Sequence, residues 1–315
     1  QASQHCKRGT ARPRGVRLRL GREARSRRLV TVELIPDRVN PSELSLLRGR
    51  VSAITIPALR NGSHDPSYPT TFKVTPQQRS IASALIVKRT GIEAVPSLTC
   101  RDCRGEDIAT ISRLVEDGLE NLLVVYGDPS GSDRDLYEFT RTDHLIRQVA
   151  SESNGNPPSI GTITNQYARN PEREISRTLA RVDAGAEFVL TNTTFDQDRV
   201  LQHRDSLRSA GLDVPLLIQV SIPQSLENLL FVSQKFGIPV SERLKRKLQR
   251  HESAGIDVAA EAFESLRLEA DGIHFSYLLR KRSPIPTYCR LLDRIGERLP
   301  LTVSAQAPQA ALQRP

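Results

Sequence analysis

The chain has 315 residues, 38% of them apolar, with no Trp, no Met and a formal net charge of +9 at neutral pH. That length suits one large domain or two small ones with a substantial core, and no run approaches the roughly 18 consecutive apolar residues of a membrane-crossing helix. The charge excess sits entirely in residues 1–28, which hold ten Lys/Arg and one acid, Glu23; the remainder nets zero, which argues against a phosphate-backbone footprint on the folded body.

The opening segment, "QASQHCKRGTARPRGVRLRLGREARSRR", is basic and poor in large apolar residues, so residues 1–28 are expected to be a solvated, disordered tail. Such Arg-rich, acid-poor segments also occur as transit peptides. Arg27-Arg28 is followed by no hydrophobic region suited to twin-Arg export, and a cytoplasmic location is expected, with neither membrane nor nucleic acid as partner. From residue 29 onward a short apolar run alternates with a longer segment of helical period. The runs are "LVTVELI" (29–35), "VSAITIP" (51–57), "IEAVPSL" (92–98), "NLLVVYG" (121–127), "PSIGTIT" (158–164), "EFVLTN" (187–192), "VPLLIQV" (214–220) and "DGIHFS" (271–276). They are continuously apolar, as parallel strands buried on both faces should be.

Helices are expected at 76–90, 104–118, 136–150, 172–184 and 197–210, after a short first one following Pro41. Three more are expected near 224–235, 239–250 and 255–267, and a last one at 284–297; the Pro/Gln/Ala-rich stretch 301–315 should fray. Eight such units predict a single-domain α/β fold over residues 29–300, a (β/α)8 TIM barrel. The alternative, a doubly wound open sheet, would usually carry a Gly-rich phosphate loop after its first strand, where this chain has "PDRVNP".

In such barrels the chemistry sits at the C-terminal strand ends. The polar residues expected there are Glu33, Thr55, Thr99 with Cys100-Arg101-Asp102, Asp128 after Gly127, Asn165 after Thr164, Asn192 after Thr191, Gln219 and His274. Glu33, flanked by apolar residues in "VTVELIP", reads equally as a proton donor whose pKa is lifted by desolvation or as a buried carboxylate paired with an arginine. Asp128 in Gly-Asp-Pro reads by itself as a turn residue capping local amides, and His274 as a hydrogen-bonded core histidine. Of the four cysteines, Cys100 and Cys103 form a C-x-x-C, but Cys6 and Cys289 supply no second pair, so neither a zinc site nor a disulfide framework is expected.

Five stretches carry a resemblance: "VTVELIPDR", "SLTCRD", "LLVVYGDPSG", "RVDAGAEFVLTNTTFD" and "GIHFSYLLR". Together they resemble the methylenetetrahydrofolate reductase family, flavin-dependent (β/α)8 barrels, over about residues 29–280 and in its compact bacterial form. The resemblance implies reduction of 5,10-methylenetetrahydrofolate to 5-methyltetrahydrofolate by NAD(P)H through FAD. It makes Glu33 the acid that opens the folate ring, and Asp128 the carboxylate beside flavin and pterin. Asn192 takes the place of a pterin-binding Gln, and Gln219 joins it at the substrate. Thr55, Thr99, Asn165, Glu174 and Arg181 align with flavin-contacting positions, Arg181 toward the phosphates.

The implied ligands are folate and nicotinamide, and a homo-oligomer is compatible with the resemblance. Pro57, Gln166, Arg177 and Ala180 depart from the family pattern, several of them at flavin contacts. The alternative function is therefore a folate- or flavin-binding relative that has kept the barrel without the reaction.

Overall fold

Eight short runs of mostly buried residues form the strands of the computed structural model. They are β1 (Leu29–Glu33), β2 (Ala53–Ile56), β3 (Ala94–Thr99), β4 (Asn121–Val125), β5 (Ser159–Thr164), β6 (Phe188–Thr191), β7 (Leu216–Ser221) and β8 (Gly272–Ser276). All pair in parallel in chain order, and β8 closes on β1 to complete the barrel. The structure describes residues 18–36, 39–59, 75–116, 118–127, 137–152, 157–249, 254–277 and 283–296. Asp128, residues 1–17 of the expected tail and the stretch 301–315 lie outside them.

Among the described residues the helices are α1 (Leu20–Ser26), α2 (Pro41–Leu44, continued by a 3-10 turn Ser45–Leu47), α3 (Pro76–Arg89), α4 (Gly105–Glu116), α5 (Thr142–Ser151) and α6 (Pro171–Asp183). They continue with α7 (Gln197–Ser209), α8 (Leu226–Phe236), α9 (Glu242–Leu248), α10 (Ala254–Leu266) and α11 (Ile285–Ile295). Local chemistry sets several starts. Thr75, Asn170 and Asn40 accept N-terminal backbone N–H groups of α3, α6 and α2, each with Pro in the first turn. The helix expected from 136 begins at Thr142 instead.

Alternation along each strand sorts residues between two layers. Val30 and Val32 of β1 join the core beneath α3, α10 and α11, whereas Leu29 joins an interior cluster with Ala53, Val95, Leu123, Phe188, Leu190 and Leu217. Gly161 belongs to this crowded interior: a Cβ there would lie 2.2 Å from two Phe188 ring atoms. Gly161→Ala is expected to cost about 1–3 kcal/mol by overpacking, read as a lower urea midpoint at unchanged slope.

The lower end of the barrel corrects the expectation of a disordered tail over residues 1–28. Residues 18–28 are ordered, and α1 plugs the barrel floor with Leu20 and Ala24 buried in the interior cluster. Its first N–H groups find partners on inward-facing polar residues at the strand starts. Leu20 N donates to Asn121 Oδ1 at 2.7 Å, Gly21 N donates to Ser159 Oγ at 3.1 Å, and Asn121 Nδ2 donates back to the Leu18 carbonyl at 2.7 Å. These bonds supply what the helix start lacks internally. Arg22 and Arg25 of this helix are exposed, so among the described residues their charge lies on its outer face.

Candidate active site

Glu33 ends β1 next to Thr55 of β2, its register partner. Its carboxylate remains half-buried. Surrounding protein desolvates it enough to push its pKa up to about 7. Among the described residues no hydrogen bond or ion pair engages that carboxylate, an arrangement that favours the proton-donor reading over the buried Glu–Arg pair. The backbone is held instead. Tyr288 of α11, fully buried, donates its hydroxyl to the Glu33 carbonyl at 2.7 Å. Burial pushes the Tyr288 phenol well above its ordinary pKa, with Glu33 adding to the rise, so it stays a donor.

Beneath Glu33 lies a small polar layer. His274 of β8 is flanked by Thr31 Oγ1 at 2.9 Å from Nδ1 and Thr55 Oγ1 at 3.4 Å from Nε2. Burial lowers its pKa to about 3, so it is a neutral, satisfied core histidine at any ordinary pH. Thr55 is thus engaged with His274. Gln219 sits beside His274 in register, half-buried, with Nε2 donating to Ser276 Oγ at 3.1 Å.

A second group forms at the ends of β5 and β6. Asn192 Nδ2 donates to Asn165 Oδ1 at 3.4 Å, and Asn192 Oδ1 accepts from Thr193 N at 2.8 Å. Both amides are half-buried. Glu174 Oε1 accepts from Asn165 N at 3.3 Å and pairs with Arg181 at 3.3 Å. The Arg181 guanidinium also donates to the Ile163 carbonyl at 2.6 Å, so it ties α6 to β5 with only 16% of its side chain exposed. Thr99 stands apart: its hydroxyl accepts from Asp102 N at 3.1 Å and shapes the turn after β3.

The amides of Asn165 and Asn192, able both to donate and accept, match the mixed polar edge of a flavin or pterin ring. Arg181 fits an anion less well, because Glu174 already neutralises it. Cys100 and Cys103 are buried free thiols whose pKa values burial pushes up to about 11 and 12, so neither is activated as a nucleophile. Among the described residues no three His, Cys, Asp or Glu gather to hold a metal, and no helix is long and apolar enough to cross a membrane.

The family model described as methylenetetrahydrofolate reductase matches residues 68–291. The chain belongs to the methylenetetrahydrofolate reductase family. Proteins named 5,10-methylenetetrahydrofolate reductase from Salmonella typhimurium and Escherichia coli are 31% and 30% identical over 136 residues, which is 42% of this chain and 45% of each relative. The matched stretch therefore spans less than half of those relatives. A solved structure described as an uncharacterized protein from Clostridium thermocellum that binds two copies of 5-methyl-5,6,7,8-tetrahydrofolic acid superposes with a TM-score of 0.61 at 15% identity. It covers 88% of this chain and 99% of that one. A 2,3-dimethylmalate lyase follows with a TM-score of 0.52 at 13% identity. Both likenesses speak to the barrel fold.

Within this methylenetetrahydrofolate reductase barrel, the strand-end residues fall into two groups: Glu33, Thr55, His274 and Gln219 on one side, Asn165, Asn192, Glu174 and Arg181 on the other. Three supports were not legible as such. Tyr288 reads in sequence as one more apolar residue of a helix. Arg101 forms a buried bidentate pair with Asp102 and donates to the Ala58 carbonyl at 2.9 Å, clamping the β3 turn to the chain leaving β2. His203 of α7 meets Thr164 Oγ1 at 2.9 Å, and Thr178 donates to the same hydroxyl, so α6 and α7 are pinned beside Asn165. The only advance signal for these was a polar side chain placed on an otherwise apolar face.

Proposed function

We propose that this protein is a flavin-dependent reductase that converts 5,10-methylenetetrahydrofolate to 5-methyltetrahydrofolate with electrons from NAD(P)H. The observation that carries the reading is the Glu33 carboxylate, without a bonded partner among the described residues and with its pKa raised to about 7, at the mouth of a barrel of this family. Opening the five-membered folate ring to an iminium requires a proton on nitrogen, and a carboxylic acid still protonated near neutrality can deliver it. The Tyr288 hydrogen bond holds the Glu33 backbone while the side chain stays free to reach substrate. Asn192 and Gln219 orient the pterin through paired donor and acceptor groups. Asn165 would hold the ring of a bound flavin, whose chemistry is to supply hydride to the iminium carbon. Binding of 5-methyltetrahydrofolate by the Clostridium fold neighbour is consistent with a pterin in this barrel mouth.

The test is the absorbance spectrum of purified protein before and after adding FAD or FMN, followed by folate turnover with NADH and NADPH. An oxidised-flavin band and formation of 5-methyltetrahydrofolate are expected. Failure to acquire either flavin would leave the non-catalytic relative as the better reading.

Asn192 offers a finer check. Its amide sits about 1.5 Å further back than the family Gln, one carbon–carbon bond. Asn192→Gln is expected to leave methylenetetrahydrofolate turnover unchanged or raise it, while Asn192→Ala raises KM for folate. A fall in turnover with Gln would mean that the pocket has been reshaped for another ligand.

A further inference from the structure

β6 ends at Thr191, and the next three residues, Asn192 among them, are gripped by two neighbours in the loop between β5 and α6. Gln166 Nε2 donates to the Asn192 carbonyl at 2.8 Å and to the Thr193 carbonyl at 3.2 Å. Thr194 Oγ1 spends its proton on the Asp196 carbonyl at 2.7 Å, so the Tyr167 hydroxyl is the donor in its 3.1 Å contact with Thr194 Oγ1. The loop is itself anchored, because Arg199 Nε on α7 donates to the Gln166 carbonyl at 3.1 Å.

The grip falls on the peptide unit that orients the Asn192 side chain. The carbonyl of that unit accepts from Gln166, and its N–H, on Thr193, donates to Asn192 Oδ1 at 2.8 Å. One rigid plane therefore carries both bonds, and turning it would swing the amide. Gln166 holds this place at a cost. It is 3% exposed, and its Oε1 is buried with no hydrogen-bond partner among the described residues. Thr193 Oγ1, on the gripped residue, is in the same state. A buried, unpaired amide oxygen is destabilising, and an apolar side chain of the same length would fill the space without it. What the carboxamide adds over such a side chain is its Nε2, aimed at two carbonyls.

We infer that Gln166 is a positioning residue for the substrate: together with Tyr167 it fixes the end of β6, so that the Asn192 amide meets the pterin in one orientation. Buried behind the strand end, Gln166 acts through Asn192 and not on the ligand. This rests on the folate reading given above and deepens it by naming what sets the Asn192 geometry. An amide that must donate to one ring group and accept from another needs its rotation fixed as well as its place, and a misdirected amide forfeits both bonds together.

The test is a double-mutant cycle on binding of 5-methyltetrahydrofolate to the purified protein, with Gln166→Met, Asn192→Ala and the two combined. Met keeps the length of the side chain and loses both bonds. Gln166→Met is expected to weaken binding by about tenfold, the usual order of coupling between residues in contact. In the Asn192→Ala background the same change should have no effect, since no amide is left to orient, whereas a residue that only held the barrel together would lower affinity equally in both backgrounds. Tyr167→Phe, which releases Thr194 alone, should show a smaller loss with the same dependence on Asn192, and it decides the matter if Gln166→Met does not fold. Unchanged affinity in the loop variant, or equal losses in the two backgrounds, overturns the proposal while the folate reading stands. If wild type binds no 5-methyltetrahydrofolate, the folate reading itself fails and the positioning role with it.

Discussion

Glu33→Gln is expected to stop folate reduction while leaving reduction of the flavin by nicotinamide intact. Loss of a positioned general acid costs about 10²–10⁴-fold, and Gln keeps the shape of the side chain while losing the transferable proton. Hydride transfer from nicotinamide to flavin needs no protonation of folate, so anaerobic stopped-flow of each half-reaction separates the two steps. Equal loss in both would make Glu33 a structural residue. The pH dependence follows the same group. With a pKa raised to about 7, Glu33 is the competent acid below that value, and the folate step should decline as pH rises through it, whereas flavin reduction should show no such descent.

The stability consequence of Glu33 has a definite sign. The folded state binds the Glu33 proton more tightly than the unfolded chain does, from its ordinary value of 4.5 up to about 7. Between those values the native state carries more bound proton, so stability falls as pH rises across this window, and the loss is complete above it. Glu33→Gln removes that penalty. The variant should therefore gain stability relative to wild type as pH is raised from 4.5 to 7, measured by urea unfolding at several pH values.

Removal of residues 1–28 should destabilise the barrel, against the first impression of a dispensable basic tail. The deletion uncovers Leu29, Leu123, Phe188 and Leu217 at the barrel floor and leaves Asn121 and Ser159 without the N–H groups they cap. Leu20→Ala isolates the apolar part: a buried Leu truncated to Ala costs about 2–5 kcal/mol, which for a domain of this size lowers Tm by about 5–10 °C. An unchanged Tm in both variants would show that α1 is not part of the cooperative unit. Activity per folded molecule should be unaffected, because α1 sits at the end of the barrel opposite the strand termini that carry Glu33 and Asn192.

Much of the candidate site was legible in the sequence because its signals are local. A carboxylate within "VTVELIP" is conspicuous in any apolar run, and the amides that end the β5 and β6 runs stand where barrel chemistry is placed. What pairs with them was not visible. Arg181 and Glu174 are seven residues apart on one helix, so their pairing follows from helical spacing, but the Ile163 carbonyl that completes the arrangement comes from the neighbouring strand. Tyr288 reaches Glu33 across 255 positions of chain, and no local pattern encodes such a contact. Asp128 lies outside the described residues, and its role rests on the resemblance alone.

By itself the sequence determined the barrel: strand-forming runs and helical periods are short-range properties, set by side-chain branching, spacing and caps within a few residues of each other. It also determined the family, through short blocks that keep their residues in order. Two questions that turn on partners belong to the tertiary structure. Whether Glu33 is an acid or half of an ion pair depends on which side chains eight closing strands bring near it, and none of the described ones bonds it. Whether residues 18–28 are tail or plug depends on Leu20 and Ala24 finding an apolar floor, and on Asn121 and Ser159 turning inward to meet a helix start. Composition weighs each residue alone, whereas burial and pairing are properties of residues that meet only once the chain has closed.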